Sequence, residues 1–117
     1  MSFTLQQLSA IEEIKILKHR YFRAIDTADM DLLAGLFTDD VACAYNGGTY
    51  KVSFQGRAAM LEFLANSFHS GAAAMHHGHS PEITITGDTT ASGIWYLEDL
   101  FINTETDEHT FGTAIYT

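Results

Sequence analysis

Between Leu8 and Ala28 the apolar residues fall at gaps of three and four, and from Val41 onward that spacing gives way to strand-like runs. Leu8, Ile11, Ile14, Leu17, Tyr21, Ile25 and Ala28 form one stripe, because positions three and four apart share a helix face. Glu12, Glu13, Lys15, Lys18, Arg20 and Arg23 take the opposite face. Thr4, with Gln7 three residues on, makes a capping box at the start. Asp29 caps a second, short helix from Met30 to Phe37, ended by Thr38-Asp39-Asp40. Val41–Tyr45 and Thr49–Phe54 then flank Asn46-Gly47-Gly48, a strong hairpin signal. Gly56 opens a third helix with Ala59, Met60, Phe63, Leu64 and Phe68 on its apolar side. From Met75 the chain reads as strand: Glu82–Thr86, a turn at Gly87–Thr90, Ala91–Ile102, a polar turn, and Phe111–Thr117. Segregated helices and an antiparallel meander predict an α+β fold rather than a parallel α/β sheet.

A chain of 117 residues is enough for one domain and too short for two. With six basic residues against fifteen acidic ones, its formal net charge is −9. Binding to nucleic acid or an anionic membrane needs a basic patch, so both are excluded as functions. The single cysteine, Cys43, has no cation beside it in sequence and reads as a buried structural thiol. The start, Met1-Ser2-Phe3, lacks a secretory leader, and no apolar run is long enough to span a bilayer, so a cytoplasmic location is expected. The last strand ends the sequence while still of good β character. A long apolar strand with no neighbour is a sticky edge. It is a true edge, or is covered by a partner subunit, or belongs to a chain truncated from 1–117 onward; truncation is the favoured expectation. An exposed sheet face with an open edge also predicts a homo-oligomer, a dimer or trimer.

Three histidines lie within Met75-His76-His77-Gly78-His79-Ser80-Pro81-Glu82. Their spacing matches no usual metal-ligand set, and alternation sends His76 and His77 to opposite sheet faces, so no metal is expected. Each one reads equally well as a solvated strand histidine and as a functional one. Tyr21 belongs to the apolar stripe, so its hydroxyl must find a partner inside. Asp26 sits in the last turn of its helix, where a carboxylate opposes the dipole unless a donor is near; it reads equally well as the start of the turn. Five residues separate the two, roughly 140° around an ideal helix. Both can touch one cavity only if it wraps the helix end. Tyr45 either presents its hydroxyl at a pocket rim or packs as a strand aromatic. Trp95 and Tyr96 read as core and sheet surface. Glu98 and Asp99 are adjacent on a strand, face opposite ways, and are not a carboxylate pair.

Three stretches carry a family likeness: Ile14-Lys15-x-Leu17-Lys18-x-x-Tyr21-Phe22-Arg23-x-x-Asp26, Met75-His76-x-Gly78-His79-x-Pro81-Glu82-Ile83-Thr84-Ile85, and Trp95-Tyr96-Leu97-Glu98-Asp99. They resemble the SnoaL-like branch of the NTF2-like superfamily over nearly the whole chain, in particular its bile-acid 7α-dehydratases and scytalone dehydratases. The resemblance implies an NTF2-like cone, a curved antiparallel sheet packed on three N-terminal and mid-chain helices, with the last strand and its pocket arginine missing. It also implies roles: Tyr21 donating to a substrate carbonyl, His76 as general base and acid, Asp26 orienting that histidine, and Tyr45 as a second pocket hydroxyl. The implied activity is a cofactor-independent lyase or isomerase acting on a steroid-like or polycyclic ketone. Such an elimination needs only a base, a donor at the enolate oxygen and an apolar cavity. The alternatives are a non-catalytic ligand-binding or assembly domain, since this fold hosts many, and a polyketide cyclase using the same base.

Overall fold

The computed structural model describes residues 2–117; Met1, part of the leader argument, lies outside the described residues. Helix α1 runs Leu5–Asp26 and opens on the Thr4–Gln7 capping box, with both reciprocal hydrogen bonds made. Helix α2 spans Met30–Ala34, and the Asp29 side chain accepts from the Leu32 amide. It is shorter than the sequence suggests, and the Arg57 guanidinium donates to the Ala34 and Phe37 carbonyls at and beyond its end. Helix α3, Arg57–Ser67, follows Gly56, which holds a left-handed φ of 93°.

Strands β1 (Ala42–Asn46) and β2 (Lys51–Gln55) form the hairpin. Strands β3 (Ala72–Ile85), β4 (Ala91–Asn103) and β5 (Glu108–Tyr116) form an antiparallel meander in that order. The strand reading began at Met75; β3 starts three residues earlier, at Ala72. Between His79 and Glu82 the register slips, with Ser80 at φ 50° and Pro81 beside it. One extra residue there reverses which parity of β3 faces inward. Hence His76 and Gly78 point inward before the slip, and Ile83 and Ile85 after it.

The core is built from Phe22, Ala24 and Ile25 of α1, Leu33 of α2, Met60 and Leu64 of α3, and Leu97 of β4. Burying each of the larger side chains contributes about 1.5–3 kcal/mol. The deepest part of the α1 face is therefore its last turn and a half. Leu8 and Leu17, both on the expected stripe, stay half-exposed. Gly78 is required here: a Cβ would meet the Phe22 ring at 2.5 Å, so its absence lets α1 lie down on β3.

Candidate active site

The Asp26 carboxylate, at the C-terminal end of α1, meets two donors of one residue on β3. Its Oδ2 accepts the His76 backbone N–H at 3.1 Å, and its Oδ1 lies 2.6 Å from His76 Nδ1. A carboxylate only accepts, so the proton between them belongs to Nδ1 and the lone pair of the neutral ring lies on Nε2. The imidazole is buried, stacked on Phe22 at 6.0 Å and met edge-on by Phe68 at 5.5 Å. Nε2 makes no hydrogen bond; the Asp99 carboxylate lies 3.8 Å away, at its Oδ2. Among the described residues no fully buried side-chain nitrogen or oxygen lacks a partner, so Nε2 is not sealed off.

Asp99 was set aside in the sequence because Glu98 and Asp99 face apart. They do face apart: Glu98 is exposed and Asp99 is turned inward. Cross-strand pairing then lines up His76, Asp99 and Gly112 in one inward row. Gly112 makes room, since a Cβ there would lie 2.2 Å from Asp99 Oδ1. The signal was present in the alternation, because Asp99 shares parity with Trp95 and Leu97, both buried. A carboxylate on an inward face needs a partner. His76 therefore lies between two carboxylates, one towards each ring nitrogen.

Tyr21 and Tyr45 meet elsewhere. Their hydroxyls approach to 3.5 Å in the wall of a cavity of about 530 Å³, with Lys18, Trp95 and Tyr116 among the other lining residues. His76 and Asp26 do not line it. They border a second, more open depression, which His19, Arg23 and Thr27 also line. Phe22 joins the two regions, stacking on His76 and, at 6.1 Å, on Tyr116. Of the three adjacent histidines only His76 turns inward; His77 and His79 are exposed, so the cluster does not converge.

Lys18, assigned to the charged outer face, is instead half-buried in the cavity wall. Its ammonium lies 3.9 Å from the Tyr116 ring centroid and 4.8 Å from that of Tyr21. Burial pushes it down to about 8, an effect that Cys43 partly offsets. Burial pushes the phenols of Tyr21, Tyr45 and Tyr116 up, so each stays a donor at neutral pH. The Cys43 thiol is also raised by burial, and its Sγ lies 3.2 Å from Met60 Sδ.

The sequence pattern of the family described as the SnoaL-like domain matches residues 6–117. The chain is a SnoaL-like domain. Solved structures resemble it along most of its length. A protein from Novosphingobium aromaticivorans, provisionally named an aromatic ring hydroxylase, is 24% identical with a TM-score of 0.78, the match covering 88% of this chain and 71% of that one. Rv3472 from Mycobacterium tuberculosis, a protein of unknown function solved as a variant, is 24% identical with a TM-score of 0.77, covering 94% and 65%. A second Novosphingobium aromaticivorans protein, provisionally named a scytalone dehydratase, is 20% identical with a TM-score of 0.74, covering 92% and 72%. This SnoaL-like domain thus spans about two thirds of the Mycobacterium protein and somewhat more of the other two. At such identities the likeness shows the fold, an NTF2-like cone with helices packed on antiparallel strands. No described helix is long and apolar enough to cross a membrane.

The buried ammonium has a measurable consequence. Above about pH 8 the folded domain releases the Lys18 proton, while the unfolded chain keeps it up to its ordinary value of 10.5. Stability from this group therefore rises with pH across that window. The raised phenols of Tyr21, Tyr45 and Tyr116 and the raised Cys43 thiol act the other way once pH passes their ordinary values. Subtracting the Lys18→Met curve removes the phenol contributions and leaves the lysine with its coupling to Cys43. In urea unfolding, the stability of wild type relative to Lys18→Met is expected to climb between about pH 7.5 and 9.5. A flat difference contradicts the assignment.

Proposed function

We propose that this SnoaL-like domain is a cofactor-independent lyase or isomerase of the dehydratase type, acting on a steroid-like or polycyclic ketone. The observation that carries the reading is the Asp26–His76 pair: a buried imidazole whose Nδ1 is held at 2.6 Å and whose Nε2 makes no hydrogen bond. In this reading Nε2 removes the proton beside the ketone. Asp26 and Asp99 stabilise the imidazolium, and the same proton then goes to the departing hydroxyl as water. Tyr21, with Tyr45 at 3.5 Å, donates to the enolate oxygen, and burial keeps both phenols protonated for that task. A provisionally named scytalone dehydratase among the proteins of the same fold is in keeping with a dehydration. The Phe22 ring stands against both the dyad and the cavity's Tyr116.

One observation favours a second reading, a non-catalytic binding domain: the walls of the cavity hold Tyr21 and Tyr45 but not His76. Turnover separates the two. Incubated with a panel of polycyclic β-hydroxy ketones, the wild type is expected to form a conjugated enone, followed by its ultraviolet absorbance. His76→Ala and Asp26→Asn are each expected to lower kcat by about 10²-fold or more with unchanged circular dichroism. Undiminished turnover in either variant removes the catalytic assignment.

We also infer a homo-oligomer formed through the outer face of the β3–β5 sheet. On that face Met75 pairs across Leu100 to Phe111, and His79 across Tyr96 to Ile115. Phe111, Ile115 and Tyr96 are each more than half exposed, at 66%, 62% and 56%. Clustered apolar area of this kind marks an association surface. Light scattering after size exclusion is expected to give a dimer or trimer for the wild type and a monomer for Phe111→Glu. A monomeric wild type contradicts the inference.

A further inference from the structure

Of the six histidines, three have hydrogen-bond partners within the chain. His69 Nδ1 accepts from the Gly71 amide at 3.0 Å, His76 meets Asp26, and His109 Nε2 lies 3.0 Å from Asp107 Oδ1. The dyad makes no use of His77 and His79. They are alternate residues of β3 and so share the outer face of the sheet, where both are exposed. Their rings stand 6.3 Å apart, centroid to centroid. The three neighbouring histidines cannot serve one ion, because His76 points the other way. This pair can.

The pair lies within the apolar patch of the inferred association surface. Across β3, β4 and β5 its rows are Met75–Leu100–Phe111, His77–Glu98–Thr113 and His79–Tyr96–Ile115. The middle row is polar and carries a carboxylate. None of His77, His79 and Glu98 has an oppositely charged partner within 4.0 Å among the described residues. Packing this face against a copy of itself buries Glu98, and a carboxylate without a cation is costly to bury. A divalent ion ligated by the neighbouring imidazoles supplies the cation.

Two copies related by a two-fold axis bring the same patch together, each with its own His77–His79 pair. Imidazole nitrogens bind zinc at about 2.0–2.1 Å in tetrahedral geometry, which sets two ligating rings about 5 Å apart at their centroids. Rotation of two exposed side chains closes the remaining gap of about 1 Å. Among the described residues no three His, Cys, Asp or Glu side chains of one copy converge on an ion. One copy therefore supplies half a site. Two copies supply four imidazoles, and their two Glu98 carboxylates balance the charge of a divalent ion.

We propose that a divalent transition-metal ion of the zinc class is held between two copies of this domain by His77 and His79 of each, with Glu98 balancing its charge. The inference rests on the reading of the outer sheet face as a homo-oligomer interface, and it narrows that reading to a dimer. The ion takes no part in the acid–base chemistry, since His76 lies on the opposite face of the sheet.

Zinc chloride is the probe. Wild type stripped with EDTA and dialysed is titrated with zinc by calorimetry at neutral pH, and its mass is followed by light scattering on dilution. About one zinc is expected per two chains, with the dimer dissociation constant lowered at least about tenfold. His77→Ala and His79→Ala are each expected to abolish that uptake while zinc-free association stays within about threefold. Glu98→Gln is expected to act with opposite signs, tightening the zinc-free dimer and reducing the gain from zinc. A zinc-free dimer that does not respond to zinc overturns the inference and leaves the sheet-face reading intact. Uptake of one zinc per chain without association overturns it too, as does uptake that survives both histidine variants. If wild type is monomeric at every zinc concentration, the inference and the sheet-face reading fall together.

Discussion

A single carboxylate joins the two halves of this domain. Asp26 closes the long first helix, and fifty residues later His76 offers it both a backbone N–H and a ring nitrogen. The carboxylate opposes the dipole at a helix C-terminus, a placement that costs energy unless donors offset it. His76 supplies two. Beside this contact lie the close approach of Phe22 to Gly78 and the stack of His76, Phe22 and Tyr116. A buried imidazole without that carboxylate would carry an unmet polar group at the centre of the packing. The contact that ties α1 to β3 also leaves Nε2 without a hydrogen bond.

The polar interior is divided. On one side of the Phe22 ring are the imidazole and its two flanking carboxylates; on the other are the phenols and the ammonium. The first set presents carboxylates, and the second presents an ammonium and hydroxyl donors. Elimination beside a carbonyl requires that pairing, since the base becomes cationic while the oxygen becomes anionic. The helix imposes the separation. Tyr21 and Asp26 lie five residues apart and so point to different sides, and residue 22 necessarily falls between those directions.

Much of this was legible in the sequence, for reasons that are local. The Thr4–Gln7 box, the Asp29 cap and the Asn46-Gly47-Gly48 turn depend on neighbours within a few residues, and each is present. Alternation correctly parted His76 from His77 and Glu98 from Asp99. What was not legible depends on contacts distant in sequence. Lys18 looked like part of a charged face because its stem, as well as its head, can lie along apolar rings, and a helical wheel counts only the head. Asp99 looked inert because its partner lies across the sheet, and because Gly112, which makes room for it, is one strand further on. The irregularity at Ser80–Pro81 reversed the facing of β3 without any break in its β character. The family likeness supplied the pairing of Asp26 with His76, which no local pattern would have suggested.

The account stands on the protonation of one ring. Nitrogen-resolved NMR of the His76 imidazole, read at neutral pH in the wild type and in Asp26→Asn, measures it directly. The account predicts that the wild-type ring carries its proton on Nδ1, with Nε2 bare, and that the preference is lost in the variant. A wild-type ring protonated on Nε2 alone, or one unchanged by the substitution, would contradict it.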